Sequence, residues 1–329
     1  MDINTPITSK KYKTIGKLLE ASINSINLVS INEKNDEIRN YLFEWLYINH
    51  YSKKLMVGNL TMRINNINNK ACYYYIIKNA FNNIDILQNK TTKEILNQEC
   101  TNFIKQLHTI QPSLAGSFLD YLMRRIISEK LAQPFYDGRS GCSDDGLIQL
   151  PIDRVKSYDI AVNTSKYKTD DILTEIFITS LSHTLAFGGI PNQEKVNSIL
   201  NLLKTPEIIE VFLTPIKQLC MDLTNEKKKI LLNPCLGYKI PLLDNKGIPS
   251  DCDLIIDDIL YDIKCTIGDK SVYEILQLLG YASLINCNPF YGIKINNISI
   301  INLLQGQINN YDISFITLEQ MISYLKILI

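Results

Sequence analysis

Gly247-Ile-Pro-Ser-Asp-Cys-Asp-Leu-Ile-Ile-Asp-Asp-Ile-Leu-Tyr-Asp-Ile-Lys264 is the stretch on which the fold turns. Two apolar runs rich in β-branched residues, Leu254 to Ile256 and Ile259 to Tyr261, flank Asp257-Asp258, which predicts a β-hairpin with a two-residue turn. That turn sets the register. Leu254 faces Tyr261, Asp253 faces Asp262, and Asp251 faces Lys264. Side chains alternate along a strand, so Asp251, Asp253, Asp262 and Lys264 share one face, with directly opposed Cβ atoms roughly 5 Å apart.

Like charges directly opposite one another destabilise a sheet, so a purely structural strand has no reason to collect them. A hard divalent cation, held by one or two carboxylates plus waters and substrate phosphates, supplies the missing positive charge. The simpler account is a solvated face on which Asp251 and Lys264 form a cross-strand ion pair. Register and charge alone leave both open.

Composition bounds the function more loosely. The 329-residue chain is 46% hydrophobic and 21% charged, with 34 basic against 34 acidic residues. Its length allows one elaborated domain or two. A formal net charge of zero creates no global field for a polyanion, so any nucleic-acid contact has to come from local patches. Such patches are Lys10, Lys11, Lys13 and Lys17, the pair Arg124 and Arg125, and Lys227 to Lys229, although runs of this kind are commonly solvated faces. The eight cysteines show no C-x-x-C spacing, which predicts free thiols in a reducing intracellular compartment, cytoplasm or nucleus. No apolar h-region follows Met1 and no apolar run is long enough to span a bilayer, so neither a secretory signal nor membrane insertion is expected. Only His50, His108 and His183 are present, far apart in sequence, which argues against a histidine metal site.

Outward from the hairpin, helical periodicity dominates. Apolar spacing predicts helices over Ile15 to Leu28, Ile38 to Ile48 and Ile95 to Leu107, with Met56 to Asn68 a strand or an irregular connection. A long helix is expected over Leu114 to Leu131, capped by Ser113, with Gly116 inside it pointing to close backbone packing beside Asp120. An exposed Asp120 paired with Arg124 at i+4 is the simpler reading of that acid. The loop from Pro134 to Gly146 lacks the spacing of a phosphate-binding loop. Helices follow over Asp170 to Phe187, Gln193 to Leu203 and Pro206 to Leu223. A strand over Tyr238 to Leu243 joins the hairpin in an antiparallel meander. Then come a helix over Val272 to Ile285, a strand over Ile298 to Leu303 and a closing helix over Leu318 to Ile327.

Three pieces of this chain together resemble the PD-(D/E)XK, or restriction-endonuclease-like, nuclease superfamily. They are the acid-bearing helix Gly116-Ser-Phe-Leu-Asp120, the hairpin Asp253-x8-Asp262-Ile263-Lys264, and a following helix with Gln277-Leu-Leu-Gly-Tyr281. The last is similar to the Q-x-x-x-Y signature of the RecB-like and lambda-exonuclease-like branch, and its ends lie one helical turn apart. The resemblance covers Pro112 to Leu131 and about Gly237 to Leu304. In this chain Cys252 stands where the family commonly has proline, aspartate rather than glutamate is the second acid, and Asp251 is a rival first acid.

The resemblance implies an α/β fold with a core of helix, three-stranded antiparallel meander, helix and further strand. Residues 1–110 would be a mostly helical N-terminal region, and residues 111–329 the nuclease-like domain with a helical insertion at about 165–225. It implies an Mg2+- or Mn2+-dependent nuclease, exonuclease-like or serving repair, recombination or replication, with DNA favoured over RNA as substrate; the residues leave DNA versus RNA and exo versus endo open. Asp253, Asp262, the Ile263 carbonyl and Asp120 would be metal ligands, Lys264 the catalytic lysine, and Gln277 and Tyr281 would act on the strand or the metal site, with Arg124 and Arg125 further nucleic-acid contacts. Two other readings stand beside it: a nuclease-like fold that binds or assembles without cutting, and a helical interaction protein with an appended sheet.

Overall fold

A computed structural model describes Leu60, Ile64 and residues 70–82, 90–131, 172–186, 188–226, 229–237, 240–248, 250–267 and 272–329. The expected helices over Ile15 to Leu28 and Ile38 to Ile48 and the loop from Pro134 to Gly146 lie outside the described residues. Within Met56 to Asn68 only Leu60 and Ile64 are described; both are helical and fully buried.

The described chain is a mixed α/β structure around a six-stranded sheet. Its elements are α1 (Lys70–Phe81), β1 (Lys90–Glu94), α2 (Gln98–Ile110), α3 (Pro112–Leu131), α4 (Ile172–Ala186), α5 (Gln193–Leu202), α6 (Thr214–Thr224), β2 (Ile230–Leu232), β3 (Cys235–Leu236), β4 (Ser250–Asp251), β5 (Leu254–Ile256), β6 (Ile259–Lys264), α7 (Val272–Asn286), β7 (Asn297–Asn302), β8 (Gln307–Asp312) and α8 (Leu318–Leu328). The strand order is β1-β8-β7-β6-β5-β2, and β3 and β4 form a separate small pair. Only β6 and β7 run parallel, because α7 carries the chain back between them. Every other pair is antiparallel.

Strand alternation divides the core in two. Leu260, Ile298, Ile300 and Tyr311 face α1, α7 and α8, where Phe81 meets Tyr324 with ring centroids 5.3 Å apart. Tyr261, Ile263, Ile301 and Ile308 face the other way, against α2 to α6. Local signals set the helix ends: Asn97 caps α2 by accepting from the Cys100 N–H at 2.9 Å, and Thr317 with Gln320 forms a capping box at α8. No described helix is long and apolar enough to cross a membrane. Cys100, Cys220, Cys252, Cys265 and Cys287 are buried free thiols.

The hairpin has the expected register, with Leu254 opposite Tyr261, Ile255 opposite Leu260 and Ile256 opposite Ile259. Asp257 takes the left-handed conformation at φ 53°, steadied by two bonds to Lys229. The first strand of the antiparallel meander, however, is β2; of the expected strand over Tyr238 to Leu243, residues 238 and 239 lie outside the described residues and the rest is not a strand. Pro241 has no N–H for a ladder and opens a 3-10 turn over Pro241–Leu243, and Asp244 and Asn245 then adopt positive φ.

Other expectations also yield to local chemistry. Helix α3 begins at Pro112, whose missing N–H suits the first helical position, so Ser113 lies inside the helix and is not its cap. Gly116 marks no close backbone approach, since a Cβ there would meet nothing within 4 Å. Close approaches occur instead at Gly237, where a Cβ would fall 2.0 Å from the Ile248 carbonyl oxygen, and at Gly280 against Leu60. The expected strand over Ile298 to Leu303 is β7, but β1 and β8, Lys-Thr-Thr-Lys-Glu and Gln-Ile-Asn-Asn-Tyr-Asp, carry no apolar run. Through β1 the sheet draws on residues read from sequence as part of the helical N-terminal region.

These glycines make opposite predictions. Gly116→Ala is expected to raise unfolding free energy by about 0.5–1 kcal/mol, the usual helix gain. Gly237→Ala, at φ 73° and against a carbonyl, is expected to lower it by more than that. Urea denaturation of the two variants beside the parent chain measures both.

Candidate metal centre at the hairpin

The site arises where the β5–β6 ladder stops. Had the pairing continued past Leu254 and Tyr261, the Ile263 N–H would bond the Cys252 carbonyl. The chain instead turns away, and β4 pairs with β3, placing Asp251 opposite Cys235. The Asp253 side chain takes over the vacated backbone position, and its Oδ2 accepts from the Ile263 N–H at 2.7 Å. The N–H and C=O of a strand residue leave on the same edge, so the Ile263 carbonyl is directed to the Asp253 side. The next carbonyl along, Lys264, points the other way and accepts from Leu303 N–H.

Asp253 and Asp262 therefore meet on the sheet face that also carries Leu260 and looks toward α7. Asp262 is only 4% exposed. Burial pushes its carboxyl up to about 7; the Lys264 ammonium opposes the shift, and Asp253 adds to it through its charge and as acceptor of a carboxyl–carboxyl hydrogen bond. Lys264 Nζ lies 2.9 Å from Asp262 Oδ2. The lysine thus serves the acid two residues before it, and not Asp251 across the hairpin as the simple register suggested. Departure of the chain at Cys252 is the reason: Asp251 belongs to the small β3–β4 pair. Burial, then Asp253, raises the Asp251 carboxyl, while Arg124 opposes.

Asp120 reaches the same centre from α3. Its half-buried carboxyl is pushed up to about 6, chiefly by burial and in part by Asp253, with Arg124 and Lys264 pulling the other way. Both oxygens are engaged by Arg124 one helical turn on: Nε donates to Oδ1 at 2.8 Å and Nη2 donates to Oδ2. The i+4 ion pair is present but is not an exposed one, and Asp253 acts on Asp120 through its charge. Arg124 is 2% exposed and lies over the Tyr121 ring, 5.1 Å from its centroid, so it faces acids and an aromatic ring and not solvent. Arg125 is partly exposed and sits between Glu129, at 2.8 Å, and Glu175, at 3.6 Å.

Gln277 and Tyr281 lie on α7, the helix over this face, and Gln277 Nε2 donates to the Tyr281 hydroxyl at 2.6 Å. Both are buried. One further acid escaped the sequence reading: Glu274, buried three residues before Gln277 on the same side of α7. Its signal was an acidic residue in the first turn of an otherwise apolar helix.

The donor set is all hard oxygen, two opposed carboxylates with a backbone carbonyl on their edge, and this suits Mg2+ or Mn2+ with waters completing the shell. Among the described residues, no group of three or more His, Cys, Asp or Glu side chains stands ready to hold an ion. Arg124 on Asp120 and Lys264 on Asp262 occupy those acids. No protein-family model matches the chain, and neither curated proteins nor solved structures give a match.

A carboxyl raised in the folded state binds its proton more tightly there than in the unfolded chain. Its favourable contribution is therefore complete below the unfolded value of 3.8 and is lost as pH rises through about 7. In chelator, Asp262→Asn is expected to match the parent near pH 4 and to exceed it in stability at pH 8 by a few kcal/mol, since each tenfold change in proton affinity is worth about 1.4 kcal/mol. Thermal or urea unfolding across that range measures the difference.

Proposed function

We propose that this chain is a metal-dependent nuclease of the PD-(D/E)XK kind, hydrolysing phosphodiester bonds in DNA. The observation that carries the reading is the buried Asp262 carboxyl with the partly exposed Asp253 and Lys264 beside it, at the point where the hairpin ladder ends. The sheet order supports it: β2, β5 and β6 are an antiparallel meander, and α7 leads to the parallel β7. The acid-bearing α3 packs on one face and the Gln277–Tyr281 helix on the other.

In this reading Asp253, Asp262 and the Ile263 carbonyl hold one Mg2+ or Mn2+. Bound there, such an ion would supply polarisation of a phosphoryl oxygen and a lowered pKa for the attacking water. The chain's own residues do the rest. Lys264, part-exposed beside Asp262, stabilises negative charge developing on the phosphate. The Ile263 N–H keeps Asp253 aimed at its partner. Gln277 and Tyr281, fixed by their mutual bond, orient the strand from α7.

A second reading, a nuclease-like fold that binds nucleic acid or assembles without cutting, is favoured by one observation: the acids are matched by internal cations, with no open group of three ligands among the described residues. Incubation with linear and circular, single- and double-stranded DNA separates the two. Mg2+- or Mn2+-dependent cleavage is expected, and Asp262→Ala and Lys264→Ala are each expected to reduce it at least 1000-fold, on the order of 4 kcal/mol of barrier, with the fold intact by circular dichroism. Full activity in either variant contradicts the assignment. Binding without cleavage by the parent chain supports the second reading.

A further inference from the structure

The face of the sheet turned away from the hairpin acids carries a cleft that the metal centre does not use. Its volume is about 490 Å3, within the range of small-molecule sites, and it lies between α6 and the strands β1, β6, β7 and β8. Its walls are largely apolar. Leu219 and Leu223 of α6 stand on one side, with Ile259 and Ile308 on the sheet.

One polar row crosses this apolar face. Tyr261 pairs with Ser299, Ser299 with Asn310 and Asn310 with Thr91, so four polar side chains share the side of the sheet on which the next row is Ile263, Ile301 and Ile308. Ser299 is fully buried, and its hydroxyl donates to Asn310 Oδ1 at 2.5 Å. That bond fixes the amide and leaves its Nδ2 as a donor. Tyr261 is 5% exposed and lines the cleft with Asn310, yet among the described residues neither the Tyr261 hydroxyl nor Asn310 Nδ2 has a protein partner. Buried donors without partners cost stability, so two of them on an apolar face call for acceptors from outside the chain.

The arrangement sets the chemistry of those acceptors. Tyr261 and Asn310 stand on β6 and β8, two strand spacings or about 10 Å apart, and the short Ser299 side chain between them leaves room over β7. Two donors across such a gap suit carbonyl oxygens, and the aliphatic walls suit the flat faces of a ring. At the mouth one cation, Lys93, stands with two carboxylates, Glu94 and Asp222, a balance that disfavours phosphate. We propose that this cleft binds an uncharged planar heterocycle of the nucleobase or nucleoside class, with Tyr261 and Asn310 donating to its carbonyl oxygens. The inference goes beyond the nuclease reading and does not depend on it, because Tyr261 and Asp262 point to opposite faces of β6.

Saturation-transfer NMR titration of the full chain tests this with three probes: uridine, adenosine, which has no carbonyl, and uridine 5′-monophosphate. Uridine is expected to bind with a Kd of about 1 mM or tighter, and at least about threefold more tightly than either of the others, the worth of one hydrogen bond. Tyr261→Phe removes one donor, and Asn310→Asp removes the other while keeping the oxygen that Ser299 uses. Each is expected to weaken uridine by about threefold to tenfold. Since the Tyr261 hydroxyl has no protein partner among the described residues, Tyr261→Phe is expected to leave the Tm of the unliganded chain unchanged, which keeps the test valid if Asn310→Asp does not fold. No uridine bound at about 5 mM, tighter binding of adenosine or the monophosphate, or unchanged uridine affinity in Tyr261→Phe each overturns the proposal. A lowered Tm in Tyr261→Phe without ligand assigns the hydroxyl to the fold and overturns it as well.

Discussion

Two carboxylates held face to face and away from water cannot both be charged unless a cation stands near them. Charges about 4 Å apart in a partly screened site repel by roughly 4 kcal/mol, a large share of a domain's whole stability. Asp262 is buried and Asp253, itself partly exposed, lies against it, and the surrounding structure is the means of holding them there. The β5–β6 ladder stops one pair early so that the Asp253 side chain can take the Ile263 N–H. Lys264 returns to Asp262, and Arg124 brings a second cation from α3.

The two helical layers make this arrangement rigid. Leu260 on one side of β6 and Tyr261 and Ile263 on the other anchor the strand in separate cores, so the acids cannot relieve their repulsion by sliding. A resting site of this kind stores its electrostatic demand as proton affinity, seen in the raised Asp262 and Asp120 carboxyls. In the proposed mechanism those carboxyls would give up the proton and hold a divalent ion instead.

Much of this is legible in the residues alone. β-branched runs around Asp257-Asp258 mark the hairpin and its register, and apolar periodicity marks α2 to α5, α7 and α8 within a few residues, because both signals come from one-sided burial; before α6 the expected helix is broken by a π turn over Ile209–Leu213. Where burial is not written into residue type, the sequence misleads. β8 fills buried positions with Asn309 and pairs Ser299 with Asn310 across the strands, and β1 is an exposed edge of lysine and threonine. The mistaken strand over Tyr238 to Leu243 follows its apolar residues and overlooks Pro241. At the site, the opposition of Asp253 and Asp262 is visible from alternation, whereas the Lys264–Asp262 contact and the burial of Arg124 depend on where the chain leaves the ladder, a tertiary fact with no local sequence signal.

Everything proposed for the centre depends on the hairpin acids holding a cation. Crystals grown with Mn2+ and measured at the manganese absorption edge answer this directly. The predicted result is an anomalous peak between the carboxylates of Asp253 and Asp262, within bonding distance of the Ile263 carbonyl. A fully occupied Mn2+ bound elsewhere on the chain, with Asp262 still closed on Lys264 and no peak at the hairpin, contradicts it.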